Sequence, residues 1–374
     1  MEQAKIIRCA ILFIAILLLL LTGCAELSDT PSYELIQDSP LYITIGGTSY
    51  SPDITGIHLA EMNLSNEDII PLRYMTNLTW IVMYGNQISD LSPISGLVNL
   101  YSLDLSENQI SDLTPLRALT NLTELRLWEN KIDDLEPLSD LTNLSSLYLD
   151  ENQINDLEPL KNLVNLTKLS LWENQISDLT PLSGLVNLNS LYLDDNQISD
   201  LTPLSELINL TNLSLWGNQI SNLEPISELT SLINLVLIDN QISNLTHIEQ
   251  LTNLHELYIG ENQVSNLVPI SNLTNLASLD VSGNQIKDLA PLSGLTDLAV
   301  LFLSRNQIND ITPLSSLIDL VFLGLDGNQI SDWSPVAHVS DVLGRPYPCN
   351  TMYNTVLSWK FLFLPLSRAL ALHW

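Results

Sequence analysis

Between residues 57 and 343 the apolar positions follow a pattern that returns every 22 residues. In the copy around Asn174 these positions are Leu169, Leu171, Ile176, Leu179, Leu182, Leu185 and Leu188. Apolar residues two apart predict a short β-strand, because alternate side chains of a strand share one face. Apolar residues three apart predict tight helical turns. Each copy is therefore predicted to form one strand followed by one turn segment.

Each copy also carries an asparagine at a fixed place after the strand. The twelve asparagines, each 22 residues from the next, are Asn86, Asn108, Asn130, Asn152, Asn174, Asn196, Asn218, Asn240, Asn262, Asn284, Asn306 and Asn328. Around them runs the pattern L-x-L-x-x-N-x-I-x-D-L-x-P-L-x-x-L-x-N-L. A single unit cannot bury its leucines by itself, so neighbouring units must stack into a solenoid.

This pattern resembles the leucine-rich repeat, and its length is similar to the internalin-like and phosphatase-regulatory-subunit-like classes. The resemblance covers about residues 57–343, as one irregular unit from Ile57 and twelve 22-residue units. It implies an α/β repeat solenoid, an arc with a parallel β-sheet on the concave face and short 3-10 or helical turns on the convex side. It also implies that the asparagine side chains bond neighbouring turns.

The N-terminal segment predicts export. Residues 1–23 contain Lys5 and Arg8, then an apolar run, and the run ends in "LTGC". A basic start followed by a short apolar stretch is typical of a secretory signal peptide. The end resembles the lipobox of bacterial lipoproteins, which implies cleavage before Cys24 and acylation of that cysteine. We expect an extracytoplasmic protein, lipid-anchored to the bacterial cell membrane or outer membrane. An ordinary cleaved signal is the alternative.

The segments that flank the repeats have different patterns. Residues 24–40 are interpreted as a tether, and residues 41–56 predict an N-terminal cap, because they alternate and turn at Gly46-Gly47. At the other end the repeat fades, and its leucines are replaced by Trp333, Val336, Val339 and Val342. Residues 344–374 match no repeat and are interpreted as a C-terminal tail or cap.

Charge limits the choice of partner. The formal net charge is −30, with 13 Lys and Arg against 43 Asp and Glu. Binding to nucleic acid needs a basic face, so nucleic acid is not an expected partner. The three cysteines, Cys9, Cys24 and Cys349, imply no disulfide framework. We expect a monomer.

No motif predicts catalysis or a cofactor. The sequence lacks H-E-x-x-H, G-x-S-x-G and Walker patterns, so we expect a protein that is not an enzyme. His247 and His255 lack a third metal ligand at a plausible spacing. An aspartate that recurs after the strand could suggest calcium, but the same slot holds Asn222, Asn244 and Asn266. Exchange of carboxylate for amide favours an Asx turn, in which a side-chain oxygen accepts from the backbone. No metal site is predicted.

The residues beside the strand leucines predict the concave surface. The position after the second leucine includes Tyr84, Trp128, Asp150, Trp172, Asp194 and Trp216. The position between the leucines includes Tyr148, Tyr192 and Tyr258. The position before the asparagine includes Glu129, Glu151, Glu173 and Asp195. Together they predict a checkerboard of aromatic and acidic side chains, with Trp172 exposed on the concave face and the three tryptophans replaceable by alanine without loss of folding.

These residues suggest a surface that binds a partner. Aromatic anchors concentrate interface energy, and rows of like charge attract a partner with basic groups. We predict a cell-surface adhesion module that binds a protein ligand with a basic surface. A glycan that stacks on the tryptophans is the rival partner. Residues 123–166 and 167–210 are identical at 30 of 44 positions, so the pattern can also be a relic of duplication in which the aromatics merely cover the sheet.

Overall fold

The computed structural model describes residues 42–345. The expected signal peptide, the lipidated Cys24, the tether and residues 346–374 lie outside the described range. Within that range no helix has both the length and the apolar character needed to cross a membrane.

A parallel β-sheet forms one face of the repeats. Its fourteen strands follow one another in chain order, each paired in parallel with the next. The bounds of all strands are β1 Ile43–Ile45, β2 Thr48–Tyr50, β3 Gly56–His58, β4 Trp80–Val82, β5 Ser102–Asp104, β6 Glu124–Arg126, β7 Ser146–Tyr148, β8 Lys168–Ser170, β9 Ser190–Tyr192, β10 Asn212–Ser214, β11 Asn234–Val236, β12 Glu256–Tyr258, β13 Ser278–Asp280, β14 Val300–Phe302, β15 Phe322–Gly324 and β16 Asp341–Leu343. The predicted leucine-rich-repeat solenoid is confirmed.

The opposite side of each repeat is a short 3-10 turn. These turns span Ile70–Tyr74, Ser92–Ile94, Thr114–Leu116, Glu136–Leu138, Glu158–Leu160, Thr180–Leu182, Thr202–Leu204, Glu224–Ile226, Thr246–Ile248, Val268–Ile270, Ala290–Leu292, Thr312–Ser316 and Ser334–Val336. Leucines spaced by three residues match the three residues per turn of this helix, so each turn buries one leucine stripe. The repeating leucines between the sheet and the turns are almost fully buried and form one continuous core.

The side chain of the recurring aspartate accepts a hydrogen bond from a backbone N–H at the start of the turn. The Asp178 carboxylate accepts a hydrogen bond from the backbone N–H of Thr180 at 2.8 Å. In the next unit but one, Asn222 does the same for Glu224 at 3.0 Å. The Asx-turn interpretation is therefore confirmed. The hydrogen bonds that Thr180 supplies also hold the pKa of Asp178 below its usual range.

The asparagine that recurs after each strand forms a ladder between neighbouring units. The Asn174 side chain accepts from the backbone N–H of Ile154 at 3.0 Å. It donates to the carbonyls of Leu149, Leu171 and Trp172 at 3.0, 3.1 and 3.2 Å. Backbone groups that would otherwise be buried without partners are thus satisfied between neighbouring units. The expected bonding by asparagine is confirmed.

A second ladder uses the asparagines of the N-L-T and N-L-S triplets. The Asn121 amide donates to the carbonyl of Val98 at 2.9 Å, and the Asn165 amide donates to that of Thr142 at 2.9 Å. Each bond joins a unit to the one before it. This ladder was not predicted from the sequence, although the fixed spacing of these asparagines indicates it.

Both ends of the described region depart from the repeat. Strands β1 and β2 form an antiparallel hairpin that turns at Gly46 and Gly47, which both have positive φ. At the other end, Val342 pairs with Leu323 in β15, only 19 residues later. Val342 was expected to continue the spacing of three on the turn side. The last unit is shortened instead, and Val342 supplies a fourteenth strand to the sheet.

Candidate binding face

Three side chains of each unit point away from the leucine core. In the unit around Asn174, Leu169 and Leu171 are fully buried. Alternation along the strand therefore places Lys168, Ser170 and Trp172 on the outer face of the sheet. We call these positions columns 1, 2 and 3. Column 1 was overlooked in the sequence, although strict alternation predicts it.

Trp172 is not exposed, so the expectation that it is displayed is wrong, and Tyr192 of the same checkerboard is buried as well. Each retains only 7% of its accessible surface. Their strands lie in the middle of the sheet, where neighbouring side chains of the same face cover them. For these two residues the alternative that aromatics cover the sheet describes the structure better. The other predicted aromatics are half-buried on the same face, namely Tyr84, Trp128, Tyr148, Trp216 and Tyr258.

Two carboxylates of column 3 are also buried. Asp150 is 5% exposed, and its Oδ1 atom accepts from the Ser170 hydroxyl and from the Trp172 backbone N–H at 3.0 Å. Two units later, Asp194 is 3% exposed and accepts from the Ser214 hydroxyl and the Trp216 N–H in the same way. These carboxylates bind their own sheet and present little charge to a partner.

Removal from water changes the acidity of both groups. Desolvation raises the pKa of Asp150 to about 7, and the nearby charge of Asp194 adds to this effect. Desolvation raises the pKa of Asp194 to about 6. The hydrogen bonds from serine and backbone act in the opposite direction without cancelling the effect of burial.

A third buried aspartate lies in column 2 and was not predicted from the sequence. Asp280 is 2% exposed and accepts from the Ser282 backbone N–H at 2.8 Å and from its hydroxyl at 2.6 Å. Desolvation raises the pKa of Asp280 as well. The pairing of aspartate and serine two residues apart was the signal in the sequence.

Acidic residues before the ladder asparagine form a row of exposed and half-buried side chains, which we call the acidic ridge. It comprises Glu107, Glu129, Glu151, Glu173, Asp195, Asp239 and Glu261. All seven have φ between 49° and 55°, in the left-handed region. Glycine is the residue that this conformation favours, and the same slot holds Gly85, Gly217, Gly283 and Gly327.

The ridge ends in an ion pair. Arg305 occupies the ridge position three units after Asp239, and its guanidinium pairs with the Glu261 carboxylate two units back. Gly283 lies between them, and a Cβ on Gly283 would overlap the Glu261 carboxylate. The glycine therefore leaves room for the Glu261 side chain to reach Arg305.

Two basic residues, Arg126 and Lys168, lie on the sheet face near its centre. Arg126 in column 2 pairs with Glu124 of column 1 at 2.7 Å, and its guanidinium carbon lies 5.1 Å from the Tyr148 ring centroid. Lys168 in column 1 lies 5.0 Å from the Tyr148 ring and 5.9 Å from the Tyr192 ring. The face is therefore acidic along the ridge but not uniformly acidic.

Nothing in the described region resembles a metal centre. Residues 42–345 contain no group of three His, Cys, Asp or Glu side chains placed to hold a metal ion. Carboxylates of the face instead accept hydrogen bonds from serine and backbone groups, as Asp150 and Asp280 do, or pair with arginine, as Glu124 and Glu261 do.

Comparison with known proteins identifies the family. A family model described as leucine-rich repeats in two copies matches residues 76–118, 120–162, 164–206 and 252–294. An internalin, InlF of Listeria monocytogenes, is 36% identical, with 81% of this chain and 91% of that chain covered and a TM-score of 0.77. The chain belongs to the internalin-type leucine-rich-repeat proteins.

More distant structures share the fold alone. InlJ of Listeria monocytogenes is 22% identical, covers 78% of this chain and 72% of its own, and has a TM-score of 0.61. The plant peptide hormone receptor RGFR1, solved in complex with RGF2, is also 22% identical, with coverages of 73% and 48% and a TM-score of 0.63. No curated protein sequence matches the chain.

Proposed function

We propose that this chain is an extracytoplasmic protein that binds a protein partner on the outer face of its sheet. The acidic ridge is the observation that carries the proposal. Leucine-rich-repeat proteins of the internalin type mediate protein–protein interaction, and the ridge supplies the chemistry that selects a partner here. The bound partner presents basic side chains to the ridge and covers the half-buried Trp128 and Trp216.

The ridge keeps carboxylates where they are unfavourable for the free protein. Non-glycine residues in the left-handed region are destabilised by about 1 kcal/mol or more each. Repulsion adds to this, because Glu173 and Asp239 both raise the pKa of Asp195, after the larger effect of burial. A basic partner removes the repulsion, so the ridge favours the complex over the free protein.

The glycan alternative loses its main support. It required Trp128, Trp172 and Trp216 as a continuous stacking track, but Trp172 is 7% exposed. Trp128 and Trp216 are four strands apart, which corresponds to about 19 Å at the usual strand spacing. Two half-buried rings at that separation do not form a linear track for one sugar chain.

We also propose that Cys24 carries the lipid that holds the protein at the membrane surface. Support comes from the apolar run near the N-terminus and from the "LTGC" sequence that follows it and ends at Cys24. The test is incorporation of labelled palmitate by cells that express the full chain, compared with Cys24→Ala and with Cys349→Ala as control. Label in the wild type and in Cys349→Ala, but not in Cys24→Ala, is expected. Equal labelling of all three would contradict the proposal.

The binding proposal is tested on cell surfaces. A fluorescently labelled form with residues 25–374 is applied to candidate target cells before and after treatment of the cells with protease or periodate. Loss of binding after protease alone supports a protein partner, and loss after periodate alone overturns it in favour of a glycan. The double variant Glu129→Lys and Glu173→Lys should lose binding. Glu136→Lys and Glu158→Lys, on the 3-10 turns, serve as the charge-matched control.

A further inference from the structure

Lys168 stands apart from the other cations of the sheet face. It begins β8, in the middle of the sheet, and is half-buried. Its Nζ atom lies against two aromatic rings, 5.0 Å from the centroid of Tyr148 and 5.9 Å from that of Tyr192. Contacts of this kind orient an ammonium group without using its hydrogen-bond donors on an acceptor oxygen.

No carboxylate of the described region neutralises this ammonium group. The ion pairs formed within residues 42–345 are Arg126–Glu124, Lys161–Glu158 and Arg305–Glu261. Lys168 is in none of them, although the chain has 43 acidic residues for 13 basic ones. An ammonium group without a paired carboxylate in such a chain retains donors for a ligand that approaches the sheet.

The side chains next to Lys168 leave it accessible from the sheet face. The strand register places Ser146 on one side of Lys168 and Ser190 on the other, both in column 1. Tyr148 and Tyr192 flank it diagonally in column 2. Two small side chains beside the Lys168 backbone and two rings against its ammonium group make a shallow site that holds the ammonium group in place, which lowers the entropic cost of binding.

The distance from Lys168 to the acidic ridge limits how charge can be distributed on the partner. Glu173, whose φ is 51°, follows Lys168 by five residues, so their backbones are separated by at most about 16 Å. A uniformly basic partner that satisfied the ridge would bring positive charge against Lys168 and Arg126. Charge complementarity therefore requires a partner with negative charge at one edge of the contact and positive charge at the other.

We propose that Lys168, held between Tyr148 and Tyr192, is a subsite for a carboxylate of the protein partner. The inference rests on the proposed function, because it concerns the partner that binds the same face. The carboxylate comes from an Asp or Glu side chain or from a chain terminus. The ammonium donates hydrogen bonds to its oxygens, while the ridge holds the basic groups of the same partner.

The test is selection of peptides from a displayed random library on the full chain, purified in detergent and immobilised. Sixteen-residue peptides are displayed either with both ends fused or with a free C-terminus, which separates side-chain carboxylates from a terminal one. Lys168→Glu is compared with Lys161→Glu, an exposed lysine of a 3-10 turn that pairs with Glu158. Both variants change the net charge equally. Lys168→Met is included as a neutral variant, and all forms are checked for unchanged thermal unfolding.

The expected result has two parts. Peptides selected by the wild type and by Lys161→Glu carry Lys or Arg together with a carboxylate, the carboxylate being enriched about threefold or more over the input library. That carboxylate enrichment disappears with Lys168→Met and reverses with Lys168→Glu, whereas the basic residues remain enriched.

Two other results would overturn the proposal in different ways. Enrichment of basic residues without carboxylates, or carboxylate enrichment that survives in Lys168→Glu, removes the subsite and leaves the proposed function intact. Absence of any basic enrichment contradicts the proposed function, and the subsite falls with it.

Discussion

Asp150 and Asp194, which occupy the same position of their repeats, both have a raised pKa. Both are almost completely buried on the sheet face, and each accepts two hydrogen bonds through one carboxylate oxygen. Because burial raises the pKa of Asp150 to about 7, its folded form keeps a proton that the unfolded chain releases near pH 4. The folded state then loses stability as the pH rises between these values.

Asp150→Asn should therefore flatten the dependence of stability on pH. Asparagine keeps a side-chain oxygen for the Ser170 hydroxyl and the Trp172 N–H but cannot ionise. We expect thermal unfolding of the variant to occur at a higher temperature than that of the wild type at pH 8, with a smaller difference at pH 5.

Asp112→Asn is the control, because the pKa of Asp112 is shifted in the opposite direction from that of Asp150. Hydrogen bonds from Thr114 lower the pKa of Asp112, so this carboxylate stabilises the fold above its unfolded pKa and loses that effect as the pH falls. Asp112→Asn should not gain stability at pH 8. A gain of equal size in both variants would show that burial of Asp150 is not the cause.

Trp172→Ala should destabilise the protein although Trp172 lies on the outer face. A buried tryptophan replaced by alanine costs about 3–5 kcal/mol, and Trp172 is 7% exposed. Trp128→Ala should lower the free energy of unfolding by less, because Trp128 is only half-buried. Urea unfolding of the two variants measures the difference. Equal, small losses for both would restore the expectation that these rings are displayed.

At the scale of the element, the asparagine ladder joins each strand to the next unit. Asn174→Ala leaves the carbonyls of Leu149 and Leu171 and the N–H of Ile154 without their side-chain partner. Each buried group left unpaired costs about 1–3 kcal/mol. We expect a loss of at least about 2 kcal/mol in the free energy of unfolding. The exposed neighbour Gln175, replaced by alanine, should leave that free energy nearly unchanged.

The ridge should show a trade-off between stability and binding. Glu173→Gly places the preferred residue in a left-handed position and should raise stability by about 1 kcal/mol. The same change should weaken partner binding, because one carboxylate of the ridge is lost. Glu173→Gln separates the two effects, since it removes the charge and keeps the Cβ. A stability gain for Glu173→Gln of more than half the gain for Glu173→Gly would show that charge repulsion, not backbone conformation, is the larger penalty.

At the scale of the whole molecule, the row of carboxylates acts as a field on an approaching partner. The association rate with a basic partner should fall about tenfold or more between low salt and 0.5 M salt, because exposed charges are screened. The dissociation rate should change less, since contacts with half-buried aromatics do not depend on salt. Stopped-flow or surface-based kinetics at several salt concentrations distinguish the two rates. An association rate that does not depend on salt would mean that the ridge does not steer the partner.

The repeat pattern by itself determined the fold of this protein. Two apolar spacings, a recurring asparagine and a recurring Asx residue predict strand, turn, ladder and Asx turn, because each depends on contacts at a fixed sequence separation that every repeat reproduces. Alternation also predicts which side chains leave the core. The same pattern is repeated in many units, so a departure from it in one unit does not change the predicted fold.

Only the tertiary structure decided how much of each outward side chain meets solvent. The exposure of Trp172 and the charge of Asp150 depend on side chains of neighbouring strands. Lys168 of column 1 likewise lies against Tyr148 and Tyr192, which belong to the two neighbouring strands. The shortened last unit likewise depends on where Val342 meets Leu323. Periodicity assigns a face to a residue, but burial, pKa and pairing arise from the neighbours that packing brings to that face.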